Sequence, residues 1–151
     1  MLHNFTIILE QKKDEYGNID GWTAENPSDT ANSQKNSEQL AKRLIKNLKV
    51  SEDCGFKSNC MLAVDYKNAD GSAWPTYTKY RDKFYYKVIL ADGSHVIIKA
   101  QGKNCTYRHG GYSNTCGYFI LDVNGSNPPN QINKDACVYE ITTESLYPAK
   151  L

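Results

Sequence analysis

The sequence lacks a long apolar run, and it contains few histidines and methionines. Among its 151 residues are 3 histidines and 2 methionines, and apolar runs such as VII at 96–98 and FIL at 119–121 are short. A membrane-spanning helix needs about 20 apolar residues, and a secretory signal peptide needs an apolar core behind basic residues. The sequence therefore predicts neither a membrane-spanning helix nor a signal peptide within residues 1–151.

An excess of charge of one sign is also missing. Lys and Arg number 18 against 17 Asp and Glu, which gives a net charge of +1. Without a basic excess, nucleic acid is not a predicted partner. Hydrophobic residues make up 40% of the chain, and its length suits one globular domain over residues 1–151.

Common catalytic motifs are absent from the sequence. It has no G-x-S-x-G, no H-E-x-x-H and no phosphate-binding glycine loop. The three histidines fall in different predicted elements, with His95 expected as an exposed strand residue and His109 in a loop. We therefore predict no catalytic residue and no enzymatic activity.

The 5 cysteines form two local pairs and one single residue. Cys54 and Cys60 bracket GFKSN, and Cys105 and Cys116 bracket TYRHGGYSNT. Polar loops of this size suit disulfides, which would imply an oxidising compartment. The alternative is a reduced cytosolic protein with buried thiols or a zinc site, although the spacing matches no common zinc pattern. The zinc ligands would be Cys105, His109, Cys116 and Cys137.

Apolar spacing predicts a first helix over residues 2–16. Its apolar residues share one face, and Gly17 suits a position just beyond the C-terminus because it lacks a Cβ. The face consists of Leu2, Phe5, Ile8 and Leu9, with Tyr16 further along.

A second amphipathic pattern follows a polar loop. The loop covers residues 18–36, with Trp22 as its candidate for the core. Residues 37–50 then predict a helix with Ser37 as the N-cap. The apolar stripe of this helix consists of Leu40, Ala41, Leu44, Ile45 and Leu48.

The pattern changes to strands in the second half of the chain. Residues 84–91 and 94–100 flank Asp92-Gly93, and such a pair between β-branched runs predicts a hairpin with a two-residue type I′ turn. The expected register pairs Ile89 with Val96 and Val88 with Ile97.

Two more strands complete the predicted sheet, over residues 117–123 and 137–142. The fold class is then α+β, with the N-terminal helix packed on a four-stranded antiparallel sheet and with disulfide-closed loops.

The order of elements, together with a set of short motifs, resembles the soluble domain of type IV pilin-like proteins, which include prepilins and type II secretion pseudopilins. The motifs are LADG at 90–93, LDVNG at 121–125, PN at 129–130, KD at 134–135 and LYP at 146–148. The likeness covers most of the chain, although the motifs lie only in residues 84–151.

This resemblance implies a non-catalytic structural subunit. Precursors of the family begin with a basic leader and a long apolar helix, which anchors the subunit in the membrane and later packs in the filament core. By this resemblance, residues 2–16 are the amphipathic second half of that helix, and about 20 apolar residues precede Leu2. The implied partners are other pilin or pseudopilin subunits and the membrane. The implied location is a cell-surface filament or the inner membrane.

Two positions depart from the family pattern. Asn133 stands where a glycine often precedes the K-D pair, and asparagine also tolerates a left-handed conformation. Cys137 stands where an aromatic residue is common, two positions after the aspartate. As a small residue in a predicted strand, Cys137 is expected to be a buried free thiol.

The stretch DVNGSNPPN at 122–130 has three interpretations. It is a tight turn, or a calcium site with Asp122, Asn124 and Asp135 as oxygen ligands, or a loop that the two carboxylates fix without metal by accepting backbone N–H bonds. In the calcium interpretation Asn127 or Asn130 completes the shell, and some pseudopilins that resemble this chain hold calcium in a C-terminal loop. We favour the metal-free loop, so no cofactor is predicted.

Two other functions remain open. A secreted carbohydrate- or protein-binding module would use an aromatic surface such as SAWPTYTKYRDKFYY at 72–86. A small secreted enzyme would need a cleft that the sequence does not reveal.

Overall fold

The computed structural model describes residues 2–23, 29–46, 48–101 and 103–150. It contains α-helices and a seven-stranded antiparallel sheet, so the predicted α+β class is confirmed and the predicted strand number of four is wrong. The helices are α1 (Leu2–Tyr16), α2 (Thr30–Ile45) and α3 (Pro75–Phe84), with short 3-10 turns at Ile19–Gly21 and Lys103–Cys105. The strands are β1 (Val50–Gly55), β2 (Tyr86–Leu90), β3 (His95–Ala100), β4 (Tyr107–His109), β5 (Tyr112–Asp122), β6 (Ala136–Thr142) and β7 (Leu146–Pro148).

The sheet has the order β1-β2-β3-β5-β6-β7, and the short β4 pairs with the first part of β5. The two long predicted strands, β5 and β6, lie side by side near the middle. The strands that sequence patterns missed are β1 and β7 at the two edges, together with β4.

Helix α1 packs as the sequence predicts. Phe5 and Leu9 are fully buried, Ile8 is nearly so, and the Phe5 ring stacks on Phe119 of β5 at 4.9 Å between centroids. Gly17 follows the helix with a φ of 80°, which suits a residue without a Cβ. The side chain of Leu2 lies outside the described residues.

Helix α2 begins earlier than predicted. Its N-cap is Asp29, whose side chain accepts a hydrogen bond from the backbone N–H of Asn32 at 2.8 Å. Ser37, the predicted cap, is instead buried within the helix. Its hydroxyl donates to the Phe84 carbonyl and accepts from the Ala100 N–H, so it joins α2 to the C-terminal end of α3 and to β3. Residues 24–28 of the predicted loop lie outside the described residues.

The β2–β3 hairpin forms, but with a different turn and register. Its loop has three residues, 91–93, because Leu90 and Ser94 already bond to each other across the hairpin. Gly93 takes a φ of 89° and its N–H bonds to the Leu90 carbonyl. This is a type I turn followed by a left-handed glycine rather than a type I′ turn. The extra residue shifts the register: Val88 pairs with Val96, and Ile89 pairs with His95.

The two faces of the sheet carry different cores because successive strand residues point to opposite sides. The face under α1 and α2, the helical face, is mainly aliphatic, and its buried strand residues include Val88, Val96, Ile98, Phe119, Leu121 and Ile141. The opposite face, the tyrosine face, lies under residues 56–74 and α3. Its buried residues include Met61, Tyr66, Tyr77, Tyr85, Ile97, Tyr118 and Ile120.

Candidate functional site

The loop between β5 and β6 brings the predicted site residues together. Asp122 ends β5, and Ala136, directly opposite, begins β6. Between them Gly125, Asn130 and Asn133 adopt positive φ values of 63°, 52° and 68°. The sequence therefore places residues that tolerate this conformation where the loop requires it.

Gly125 is needed for a close contact with the neighbouring hairpin. A Cβ at this position would lie 2.7 Å from the Gly93 carbonyl oxygen and 3.3 Å from the ring of His95. His95 is consequently 6% exposed, and its prediction as an exposed strand residue is wrong because the loop covers it. Burial lowers the pKa of His95, so the ring is neutral at physiological pH.

Asp135 organises the second half of the loop. It is 7% exposed, and its two carboxylate oxygens each accept a backbone bond at 2.8 Å, from Asn130 and from Gln131. A carboxylate that accepts two N–H groups satisfies donors that a buried loop would otherwise leave unpaired. The predicted capping role of Asp135 therefore has direct geometric support.

Asp122 faces the same point from the end of β5. It is fully buried, and its Oδ2 accepts a 2.6 Å bond from the hydroxyl of Tyr66 on the tyrosine face. The pKa of Asp122 is raised to about 6, mainly by burial and also by the nearby Asp135, while the Tyr66 and Asn124 bonds oppose the change. The pKa of Tyr66 is raised far above its ordinary value by burial and by the Asp122 carboxylate, so Tyr66 remains the donor.

Two asparagine amides connect the carboxylates. With its nitrogen facing inward, Asn124 donates to Asp122 Oδ1 at 2.7 Å and to Asp135 Oδ2 at 2.9 Å. In the same orientation Asn130 donates to Asp122 Oδ2 at 3.2 Å and to the Asn127 carbonyl at 3.0 Å. We call Asp122, Asn124, Asn130 and Asp135 the carboxylate cluster. In this arrangement every carboxylate oxygen of the cluster has a donor.

The same atoms also fit a hard cation if both amides turn over. Asn124 and Asn130 would then direct oxygens at the two carboxylates, and with the Asn127 carbonyl they form the all-oxygen set that calcium prefers. Among the described residues, this cluster included, no group of three or more His, Cys, Asp or Glu side chains is arranged to hold a metal ion. The predicted calcium ligands Asp122, Asn124 and Asp135 are thus adjacent, and binding remains a prediction.

The cysteines pair as expected. Cys54 bonds to Cys60, and Cys105 bonds to Cys116. Because these two bonds use the thiols of Cys105 and Cys116, the alternative zinc site with His109 does not form. Disulfides are typical of extracellular and other oxidising environments.

Cys137 is free, as predicted, but it is half-buried rather than buried. The reason lies at the edge of the sheet. Strand β7 begins to pair with β6 only at Tyr139, so the stretch of β6 around Cys137 lacks that outer neighbour.

A second polar pair was not foreseen from the sequence. The ring of His109, which ends β4 rather than lying in a loop, stacks on Tyr118 at 4.3 Å and bonds through Nδ1 to Glu140. Glu140 is fully buried, and its Oε2 has no hydrogen-bond partner among the described residues. The sequence does contain a signal for this pair, because Glu140 is a charged residue within the apolar strand CVYEIT.

Comparisons with protein-family models, with curated proteins and with solved structures give no match for this chain. Among the described helices, none combines the length and apolar character that crossing a bilayer demands.

Proposed function

We propose that this chain is the globular part of a structural subunit of a type IV pilus or a type II secretion pseudopilus, and that its role is assembly rather than catalysis. The observation that supports this proposal most is the meeting of the motif residues in space. Motifs that are separated in sequence, LADG, LDVNG, PN and KD, contribute to one hydrogen-bonded corner of the sheet.

The contacts at that corner are structural in kind. Gly93 of LADG approaches Gly125 of LDVNG, and Asp135 of KD caps the N–H of Asn130 in PN. Asp122 is fully buried and Asp135 is 7% exposed, and hydrogen bonds within the corner already engage both carboxylates. A rigid corner between the last long strands instead suits a subunit whose surface loops must keep one shape for packing.

Helix α1 supports the same role. Its inner face is bound to the sheet through Phe5 and Leu9, while Ile7 on the outer side is 43% exposed. In pilin-like proteins the helix that packs in the filament core also carries the globular domain on one face. An α1 that is apolar inside and still has an exposed aliphatic residue is compatible with that arrangement.

Cysteine cross-linking in the source cells tests the proposal. The full natural gene would carry Ile7→Cys in a background with Cys137→Ala, and a bis-maleimide would be added to intact cells. Because each subunit then carries one free thiol, we expect a covalent dimer of this protein. Leu62→Cys, at a 70% exposed position on the tyrosine face, is the matched control for reagent access.

The two outcomes are easily distinguished on a gel. A cross-linked dimer of Ile7→Cys that disappears when the cells lack the assembly ATPase of the filament system supports the proposal. A protein that stays monomeric at every reagent concentration, while Leu62→Cys is fully alkylated, contradicts it.

A further inference from the structure

A groove beside α3 has the properties of a binding site, and it is separate from the carboxylate cluster. It has a volume of about 510 Å³ and a mostly apolar lining, in which Ala73, Trp74 and Pro75 take part. Ligand sites commonly have volumes of about 300–1,000 Å³ and combine apolar walls with a few polar groups. Tyr66 forms part of the lining, and its hydroxyl is engaged with Asp122 on the inner side.

The aromatic surface of the groove is rigid before any ligand binds. Trp74 is half-buried, its backbone N–H bonds to the Tyr66 carbonyl at 3.2 Å, and its ring lies 5.7 Å from that of Tyr77. Pro75 fixes the first turn of α3 directly after it. A preformed aromatic side chain loses little conformational entropy on binding, so it contributes more of its contact energy to affinity.

The groove has more basic than acidic side chains in its lining. Its carboxylate, Asp65, already accepts from the Thr78 hydroxyl at 3.3 Å and lies 4.0 Å from the Arg81 guanidinium. Lys67 and Lys79 also line the groove, and neither makes an ion pair within the described part of the chain. An occupant that brings carboxylates would therefore find two uncompensated ammonium groups.

We propose that this groove binds an acidic peptide segment of a partner protein, with a proline or aliphatic side chain on Trp74 and carboxylates near Lys67 and Lys79. A carbohydrate fits less well. Recognition of adjacent sugar hydroxyls requires side chains that donate and accept side by side. Asp65 is the single carboxylate among the described lining residues, and the two lysines only donate. Complementary charge on the rim would mainly determine the choice of partner and the association rate.

Tryptophan fluorescence tests the proposal on the full chain. Trp22 is fully buried on the helical face, so a ligand in the groove changes the emission of Trp74. The probes are capped hexapeptides with Pro-Leu, Pro-Val or Pro-Phe at the centre and two glutamates on each side. The matched control peptides carry lysines in place of the glutamates.

We expect the acidic peptides to give a saturable emission change and the lysine peptides to bind at least tenfold more weakly. The double variant Lys67→Glu/Lys79→Glu should lower the affinity for the acidic peptides at least tenfold. Lys35→Glu, which makes the same kind of charge reversal at an exposed site on α2, should change it less than twofold.

Three results would overturn the proposal. The first is an absence of any acidic peptide whose signal saturates below millimolar concentration. The second is equal binding of the glutamate and lysine series, or equal effects of the groove and α2 variants. The third is a monomer–dimer equilibrium in sedimentation velocity that Lys67→Glu/Lys79→Glu abolishes, which would assign the groove to a second copy of this chain. All these variants change exposed side chains, so circular dichroism should report the wild-type fold.

Discussion

The two faces of the sheet are covered in different ways. The helical face lies under α1 and α2, whose apolar residues recur with the helical period and pack as aliphatic and aromatic groups. The tyrosine face lies largely under an irregular segment, residues 56–74. Its large side chains are amphipathic, and their hydroxyls form buried bonds such as Tyr85 to Tyr118 at 2.5 Å.

This difference shows which contacts a segment without regular secondary structure needs in order to pack over a sheet. A helix satisfies its own backbone, so burial of one stripe is enough to hold it against a sheet. A segment without regular structure must bond its backbone and side chains to partners elsewhere. Here those partners are the Cys54–Cys60 disulfide and the Tyr66–Asp122 hydrogen bond, together with the backbone bonds of Lys67 to Asn130 and Ile132.

The largest effect is expected from a cavity on the helical face. Leu44 is fully buried in α2, so Leu44→Ala should lower the free energy of unfolding by about 3 kcal/mol, within the range of about 2–5 kcal/mol for such deletions. Urea unfolding measures the change. Ile7→Ala on the exposed side of α1 is the control, with an expected loss below about 0.5 kcal/mol. A loss below about 1 kcal/mol for Leu44→Ala, which is half of the smallest value in that range, would mean that this face does not depend on dense packing.

The next effect should come from the disulfide of the tyrosine face. Cys54→Ala/Cys60→Ala opens a short loop, and we expect a loss of about 2 kcal/mol from the added freedom of the unfolded chain. Hydrogen exchange should accelerate in residues 56–74 and not in α1. Cys137→Ala is the matched control, since mass mapping without reduction should find Cys137 as the single free thiol. Equal acceleration of hydrogen exchange on both faces would show that residues 56–74 do not depend on this disulfide more than α1 does.

A smaller loss is expected when one buried hydroxyl is removed. Tyr66→Phe keeps the ring and deletes a donor to the Asp122 carboxylate. It should lower stability by about 1.5 kcal/mol at pH 7, the lower end for bonds to charged groups, because Asn130 still donates to the same oxygen. Tyr147→Phe provides the comparison. Its exposed hydroxyl lies 3.5 Å from Glu144, and its loss should be close to zero. Stability measurements that cannot separate the two variants would show that the Tyr66 bond does not hold the irregular cover in place.

The smallest expected effect is a change in pH dependence. The folded-state pKa of Asp122 is raised from 3.8 to about 6, so the proton binds the folded protein more strongly than the unfolded one. The stability that this proton contributes is full below pH 4 and is lost as the pH rises through about 6. The titratable groups around it are Tyr66, Asp135 and His95, and burial lowers the pKa of His95. Asp122→Asn should therefore flatten the stability profile across this interval, and parallel profiles for the two proteins would contradict the assignment.

The elements that the sequence predicted are those with a clear period. The spacing of Phe5, Ile8 and Leu9 identified α1, and the β-branched runs identified β2, β3, β5 and β6. The first two turns of α2, TANSQKN, are polar and have no apolar period, so the helix was predicted to start too late. Strand β1, VSEDCG, is a charged edge strand without alternation, and β4 and β7 have three residues each.

Helix α3 and the hairpin register were predictable in part. Pro75 at a helix start, followed by Tyr77, Tyr80 and Phe84, is a helical signal that the aromatic composition of the segment obscured. The register depended on whether the loop had two or three residues, which Asp92-Gly93 alone does not determine. At the site, the structure brings Asp122, Asn124 and Asp135 together, and their role stays a prediction. Tyr66 was not predicted there, because its contact with Asp122 spans 56 positions of sequence.

We propose that the carboxylate cluster is a structural element that needs no metal. Thermal unfolding at pH 7 with millimolar calcium, and again with excess chelator, tests it most directly, since a ligand that binds only the folded state raises the melting temperature. We expect the wild type to have the same melting temperature in both conditions. The melting temperature of Asp122→Ala should be lower and should also not depend on calcium. A rise of several degrees on calcium that Asp122→Ala abolishes would contradict it and assign the cluster to a cation.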